Sequence, residues 1–145
     1  MLCDDGLALA QELIRRGWLS HQAGRTDLAA RFLPGPTPVV GGFAHARILK
    51  FDREQFVSSG QGGFRVWCPV ERRNITAAFV PALRMWRAGG ERVLGCGCGA
   101  AHDLAALDYQ PVCGFSQEWI ELTDVGSASL PPDLPDGVRV VLRRG

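Results

Sequence analysis

Two short cysteine turns do most to limit what this chain can fold into. Trp67-Cys68-Pro69-Val70-Glu71 follows the apolar run Phe64-Arg65-Val66, and Gly95-Cys96-Gly97-Cys98-Gly99 follows Val93-Leu94. An apolar run ending in such a turn reads as a strand that carries a thiol at its tip. Two such tips side by side can close thiolates around one tetrahedral ion. Glycines at 95, 97 and 99 permit the left-handed backbone that a tight turn at a metal requires.

The flanking sequence predicts a mixture of helix and strand. Leu7 to Arg16 reads as a helix, with Leu7, Ala10, Leu13 and Ile14 on one face, Asp4 or Asp5 as its cap and Gly17 as its stop. Trp18 and Leu19 are expected to fold back onto that apolar face. Ser20 to Arg25 reads as a loop, Asp27 to Leu33 as a short helix, Pro38 to Gly42 as an edge segment or turn, and Phe43 to Phe51 as a strand. After Phe64 to Trp67, the alternation of Asn74 to Phe79 predicts a hairpin return strand. Pro81 then suits the first position of a helix, and Gly89-Gly90 its end. A single helix from Ile75 is the rival, opposed by the roughly 3 kcal/mol that proline costs inside a helix. Asp103 to Leu107 suggests a helical turn, Val112 to Leu122 a long strand and Val138 to Leu142 a terminal strand.

The length of 145 residues suits one domain or two small subdomains, and Gly60-Gln61-Gly62-Gly63 is the best joint, giving segments 1–60 and 61–145. Together these readings predict an α+β protein. Its N-terminal helical segment would pack on a mostly antiparallel sheet that includes a hairpin pair bearing the cysteines.

The residues Phe64-Arg65-Val66-Trp67-Cys68-Pro69, Cys98-Gly99, Leu107-Asp108-Tyr109 and Gly114-Phe115-Ser116-Gln117-Glu118-Trp119-Ile120-Glu121-Leu122 carry a resemblance across the second half of the chain. They resemble uncharacterised bacterial proteins in which a zinc-ribbon-like segment lies between an N-terminal helical part and a C-terminal strand. The resemblance implies a ribbon fold and names no activity. The usual ribbon knuckle is Cys-x-x-Cys, and neither turn here is complete. Glu71 and Gly95 stand where that spacing wants cysteine, and Cys96 sits one residue late. Cys68 and Cys98 fall on ligand positions; Cys96, His102, Cys113 or Glu71 would have to complete the set.

Three readings stay open at this point. Zinc is bound by Cys68, Cys96, Cys98 and His102; or the turns have lost their metal and are held by packing; or Cys96 and Cys98 form a redox couple, which needs a lowered thiol pKa. His21 reads as solvated and His45 as structural. His102-Asp103 could be an acid–base pair, but Asp103 has a competing role as a helix cap. No nucleophile, base and acid can be assembled, so a non-enzymatic interaction module is expected, with a protein as partner and the strand edges around Val112–Leu122 as its docking surface. Arg72, Arg73, Arg84, Arg87 and Arg92 with Trp67 or Trp86 raise nucleic-acid binding as the alternative. A formal net charge of +1 gives that alternative no general support, and no apolar stretch is long enough for a membrane span. Five unevenly spaced cysteines do not form a disulfide framework, which predicts a cytoplasmic chain with reduced thiols.

Overall fold

The computed structural model describes residues 1–21, 31–59, 64–127, 129 and 133–142. Along the chain the elements are β1 (Leu2–Cys3), α1 (Gly6–Arg15), β2 (Leu19–His21), β3 (Phe32–Pro34), β4 (His45–Val57), β5 (Arg65–Trp67), α2 (Thr76–Arg87), β6 (Val93–Gly95), β7 (Ala101–Asp103), a 3-10 turn (Leu104–Ala106), β8 (Asp108–Gln110) and β9 (Gly114–Thr123). The chain is α+β and divides into two compact units, Met1–Phe56 with Phe115–Val140, and Val57–Gly114 with Val141–Gly145. The glycine joint at 60–63 lies outside the described residues.

The first unit is built on a five-stranded antiparallel sheet of order β1-β9-β4-β3-β2. Asp5 caps α1 by accepting the Ala8 N–H at 3.0 Å. The helix stops as its sequence dictates. Gly17, at φ 78°, donates to Ile14 O at 2.9 Å, and Trp18 donates to Leu13 O at 2.9 Å. That left-handed stop turns Trp18 and Leu19 back into a core with Leu9, Ala10, Leu13, Phe32 and Ile120.

Several expectations are corrected here. Ser20 and His21 lie in β2 rather than a loop, and Phe32–Leu33 lie in β3 rather than a helix. Their backbone groups are satisfied by pairing, Ser20 with Leu33 and His21 with Phe32. Arg31 is in neither helix nor strand, and the rest of those two predicted segments, 22–25 and 27–30, lies outside the described residues. Leu7 is exposed and Leu9 takes the inward place beside Ala10 and Leu13. The strand beginning near Phe43 runs on to Val57. β9 lies between β1 and β4, but β1 is only two residues long and pairs Leu2 with Trp119 and Cys3 with Glu118, so on that side it covers only part of β9. The predicted terminal strand at Val138–Leu142 is reduced to one bridge, Leu2 with Arg139.

The second unit carries the β6–β7 hairpin, the antiparallel pair of β5 with the sequence-distant β8, and the helix α2. The rival reading of residues 75–87 is the correct one. Of the predicted return strand only the start is realised, in one antiparallel bridge between Asn74 and Trp67 with Ile75 N donating to Val66 O at 2.8 Å; α2 then runs unbroken from Thr76 through Pro81 to Arg87. Pro81 leaves the carbonyl of Ala77 without its helical donor, but Ala77 and Pro81 are both exposed, so water can serve that oxygen. The opposite face buries Ile75, Phe79 and Leu83. Phe79 is wholly buried and meets the rings of Phe64 (5.8 Å) and Tyr109 (5.4 Å) edge-on. Burial of a phenyl group on that scale is worth about 3 kcal/mol, enough to offset the proline.

Candidate metal centre

Each cysteine turn is fixed by its own backbone hydrogen bonds. In the first, Arg72 N donates to Cys68 O at 2.9 Å and Cys68 N donates to Arg73 O at 2.8 Å. This folds the chain back directly after β5, with Arg72 in the left-handed region at φ 57°. In the second, Gly99 N donates to Cys96 O at 3.1 Å and Cys96 N donates to Ala100 O at 3.0 Å, which makes the tip of the β6–β7 hairpin. Gly99 is at φ 86°, where a side chain would be strained. The register sets Leu94 opposite His102 and Gly95 opposite Ala101. Side chains opposite one another share a face, as do residues two apart along a strand. His102 therefore lies on the same face as Leu94 and Cys96, and Cys98 projects from the tip between them.

The result is one cluster. Cys68, Cys96, Cys98 and His102 each offer a ligand atom, and all four atoms lie within 4.8 Å of one another. His102 Nε2 is 3.2 Å from Cys98 Sγ and 3.6 Å from Cys68 Sγ. Tetrahedral zinc with ordinary Zn–S and Zn–N bonds would place a sulfur and an imidazole nitrogen about 3.6 Å apart, so these donors fit such an ion in type, number and spacing. The cluster could hold a metal ion such as zinc. Its distribution is unlike that of a ribbon with two complete knuckles. The first turn supplies one ligand, and the second turn with β7 supplies three.

The electrostatics of the turn suit thiolate. The Glu71 N–H points at Cys68 Sγ from 3.4 Å. That donor above all holds the Cys68 thiol down at about 6, against the opposing effect of desolvation. At Cys96 the N–H of Cys98 favours the thiolate, but the sulfurs of Cys68 and Cys98 together with desolvation prevail and push the thiol up.

The remaining sequence candidates sort cleanly. Glu71 stands where a second cysteine was sought, yet it serves through its backbone N–H, and its carboxylate lies 3.9 Å from Arg73. Cys113 is buried and donates to Pro111 O at 3.4 Å, outside the cluster. Asp103 is not an acid–base partner for His102. Its carboxylate accepts from Arg92 at 2.8 and 3.0 Å and from the Ala105 N–H at 2.9 Å, capping the 3-10 turn. His21 packs against the Phe32 ring at 5.6 Å. The five cysteines are free thiols. No helix among the described residues is long and apolar enough to cross a membrane. The Glu71 N–H contact was missed by sequence reading, because a backbone donor has no residue type to announce it.

Compared with known protein families, characterised proteins and solved structures, the chain matches none.

Proposed function

We propose that residues 57–114 form a zinc-held interaction module, with the metal bound by Cys68, Cys96, Cys98 and His102 in a structural role. One observation carries this reading: four protein donors converge, which fills a tetrahedral shell and leaves no position for a substrate. A catalytic zinc keeps one position open. Cys68 is also fully buried, so it cannot serve as a nucleophile toward a bound ligand. The redox reading of Cys96 and Cys98 is weakened because the lowered thiol is Cys68 and the Cys96 thiol is pushed the other way. The nucleic-acid reading is weakened because Arg72 and Arg73 are partly neutralised by Asp108 (3.4 Å) and Glu71 (3.9 Å).

The test is elemental analysis of protein purified without added metal. About one equivalent of zinc is expected, falling well below that in Cys68→Ser and His102→Ala. Cobalt should replace the zinc and show the absorption of a tetrahedral thiolate complex. Metal-free protein that melts at the same temperature with and without added zinc would defeat the reading.

A further inference from the structure

Among the described residues β6 has one strand partner, β7, and no strand pairs with its other side. Leu104 N donates to Arg92 O at 3.1 Å, and Cys96 N donates to Ala100 O at 3.0 Å. Antiparallel pairing alternates along a strand, so Arg92, Leu94 and Cys96 direct their backbone groups at the partner strand. The N–H and C=O groups of Val93 and Gly95 then point away from β7. Val93 is more than a third exposed. Two donors and two acceptors, two residues apart, are the set that an added antiparallel strand requires.

That edge borders an apolar groove of about 580 Å³, whose far wall is the face of α2 formed by Ala78, Pro81, Ala82 and Met85. Met85 is 68% exposed, unusual for so large an apolar side chain. The groove floor includes Leu94, which is buried. A residue paired opposite Leu94 would share its face and place its side chain against Ala78 and Ala82. Those alanines leave room for a small apolar group. Glu91 lines one end of the groove and is exposed, while the neighbouring Arg92 is engaged by Asp103 at 2.8 Å. The charge left at that end is negative.

We propose that the open edge of β6 and the groove beside α2 receive an extended peptide strand from a partner protein, with a small apolar side chain opposite Leu94 and a basic residue toward Glu91. The backbone of Val93 and Gly95 supplies the attachment, the groove selects the central side chain, and Glu91 selects the charge. The inference rests on the reading of residues 57–114 as an interaction module. It does not depend on which metal is bound.

The probe is an end-capped octapeptide of alternating threonine and valine, with one lysine four positions from the central valine, on the same face of the strand and toward the Glu91 end of the groove. Titration is followed by amide NMR, with zinc content measured on the same samples. Saturable shifts at the Val93 and Gly95 amides are expected. The same peptide N-methylated at the two residues facing Val93 and Gly95 should bind about tenfold more weakly, because its donors are gone while the protein is unchanged. Ala82→Arg, which fills the groove from the helix side, should weaken binding similarly while zinc content stays at the parent level. Equal binding of the methylated peptide, or shifts confined to other residues, overturns the proposal. Shifts of the same two amides with protein concentration alone would make a second copy the occupant and overturn it as well. Because zinc is measured in parallel, a failed peptide on fully loaded protein overturns the groove and leaves the metal reading standing.

Discussion

Glu12 shows what one carboxylate on a helix surface contributes. It accepts from Arg15 Nε and from Arg16 Nε, each at 2.8 Å. These bonds, that from Arg15 foremost, hold its carboxyl at about 2, below the usual 4.5. A carboxyl whose folded pKa lies below its unfolded value contributes stability above the unfolded value and loses it as pH falls through the folded one. The window for Glu12 therefore runs from about 4.5 down to about 2. The group is solvent-accessible, so the effect is small and falls with salt. Glu12→Gln should lower the urea midpoint at pH 7, and the gap from the parent should close as pH falls to about 2. A gap independent of pH would assign the effect to helix propensity instead. Cys68 illustrates the opposite setting. It is fully buried, its sulfur faces a backbone donor, and its position is set by a turn rather than by a neighbouring charge.

At the scale of elements, α2 departs most from its local sequence preferences. Pro81 sits inside the helix, five residues past Thr76, where its missing N–H and its ring both count against it. The helix persists because Phe79 and Leu83 bury on its inner face and because its end is well made. Gly89, at φ 100°, donates to Trp86 O at 3.0 Å, and Gly90 donates to Met85 O at 2.8 Å. Pro81→Ala should then raise stability by about 1–2 kcal/mol, the helical penalty less the entropy that proline removes from the unfolded chain. Urea unfolding of the two proteins checks this. A less stable variant would mean that contacts of the proline ring outweigh the restored hydrogen bond. The β6–β7 hairpin is the other decisive element, because a slip of one residue in its register would turn His102 away from the face that holds Cys96.

At the scale of the molecule, the two units rest on different supports. The first has a contiguous apolar core around Leu13, Trp18, Phe32 and Ile120. The second has Phe79, Val66 and Leu104 at its centre and the four-residue cluster at its hairpin tips. Chelation of the metal should therefore act unevenly. Hydrogen exchange at the Leu94 and His102 amides is expected to rise about tenfold or more in chelator, with the amides of Leu13 and Trp18 unchanged. Uniform acceleration throughout the chain would show that the metal supports both units, and no change would show that packing alone holds the hairpin.

The features legible in the sequence are those that neighbours in the chain decide. Asp5 caps α1 and Gly17 stops it because a side-chain acceptor and a residue free to be left-handed act within one turn. Cys68, Cys96, Cys98 and His102 could be named as one possible ligand set from their residue types, although the spacing of neither turn completes a knuckle and left two other readings open. The tertiary structure decided the rest. Phe32 became a strand residue by pairing with His21 and Ala46, β9 took an inner place in the sheet between the short β1 and β4, and α2 ran through Pro81 because an aromatic cluster rewarded the longer helix. The meeting of Cys68 with Cys98 and His102 belongs there too, since it joins residues thirty or more positions apart. Hydrogen bonds and conformational freedom within a turn are local, whereas burial and strand pairing are shared between distant segments, and only the folded chain brings those together.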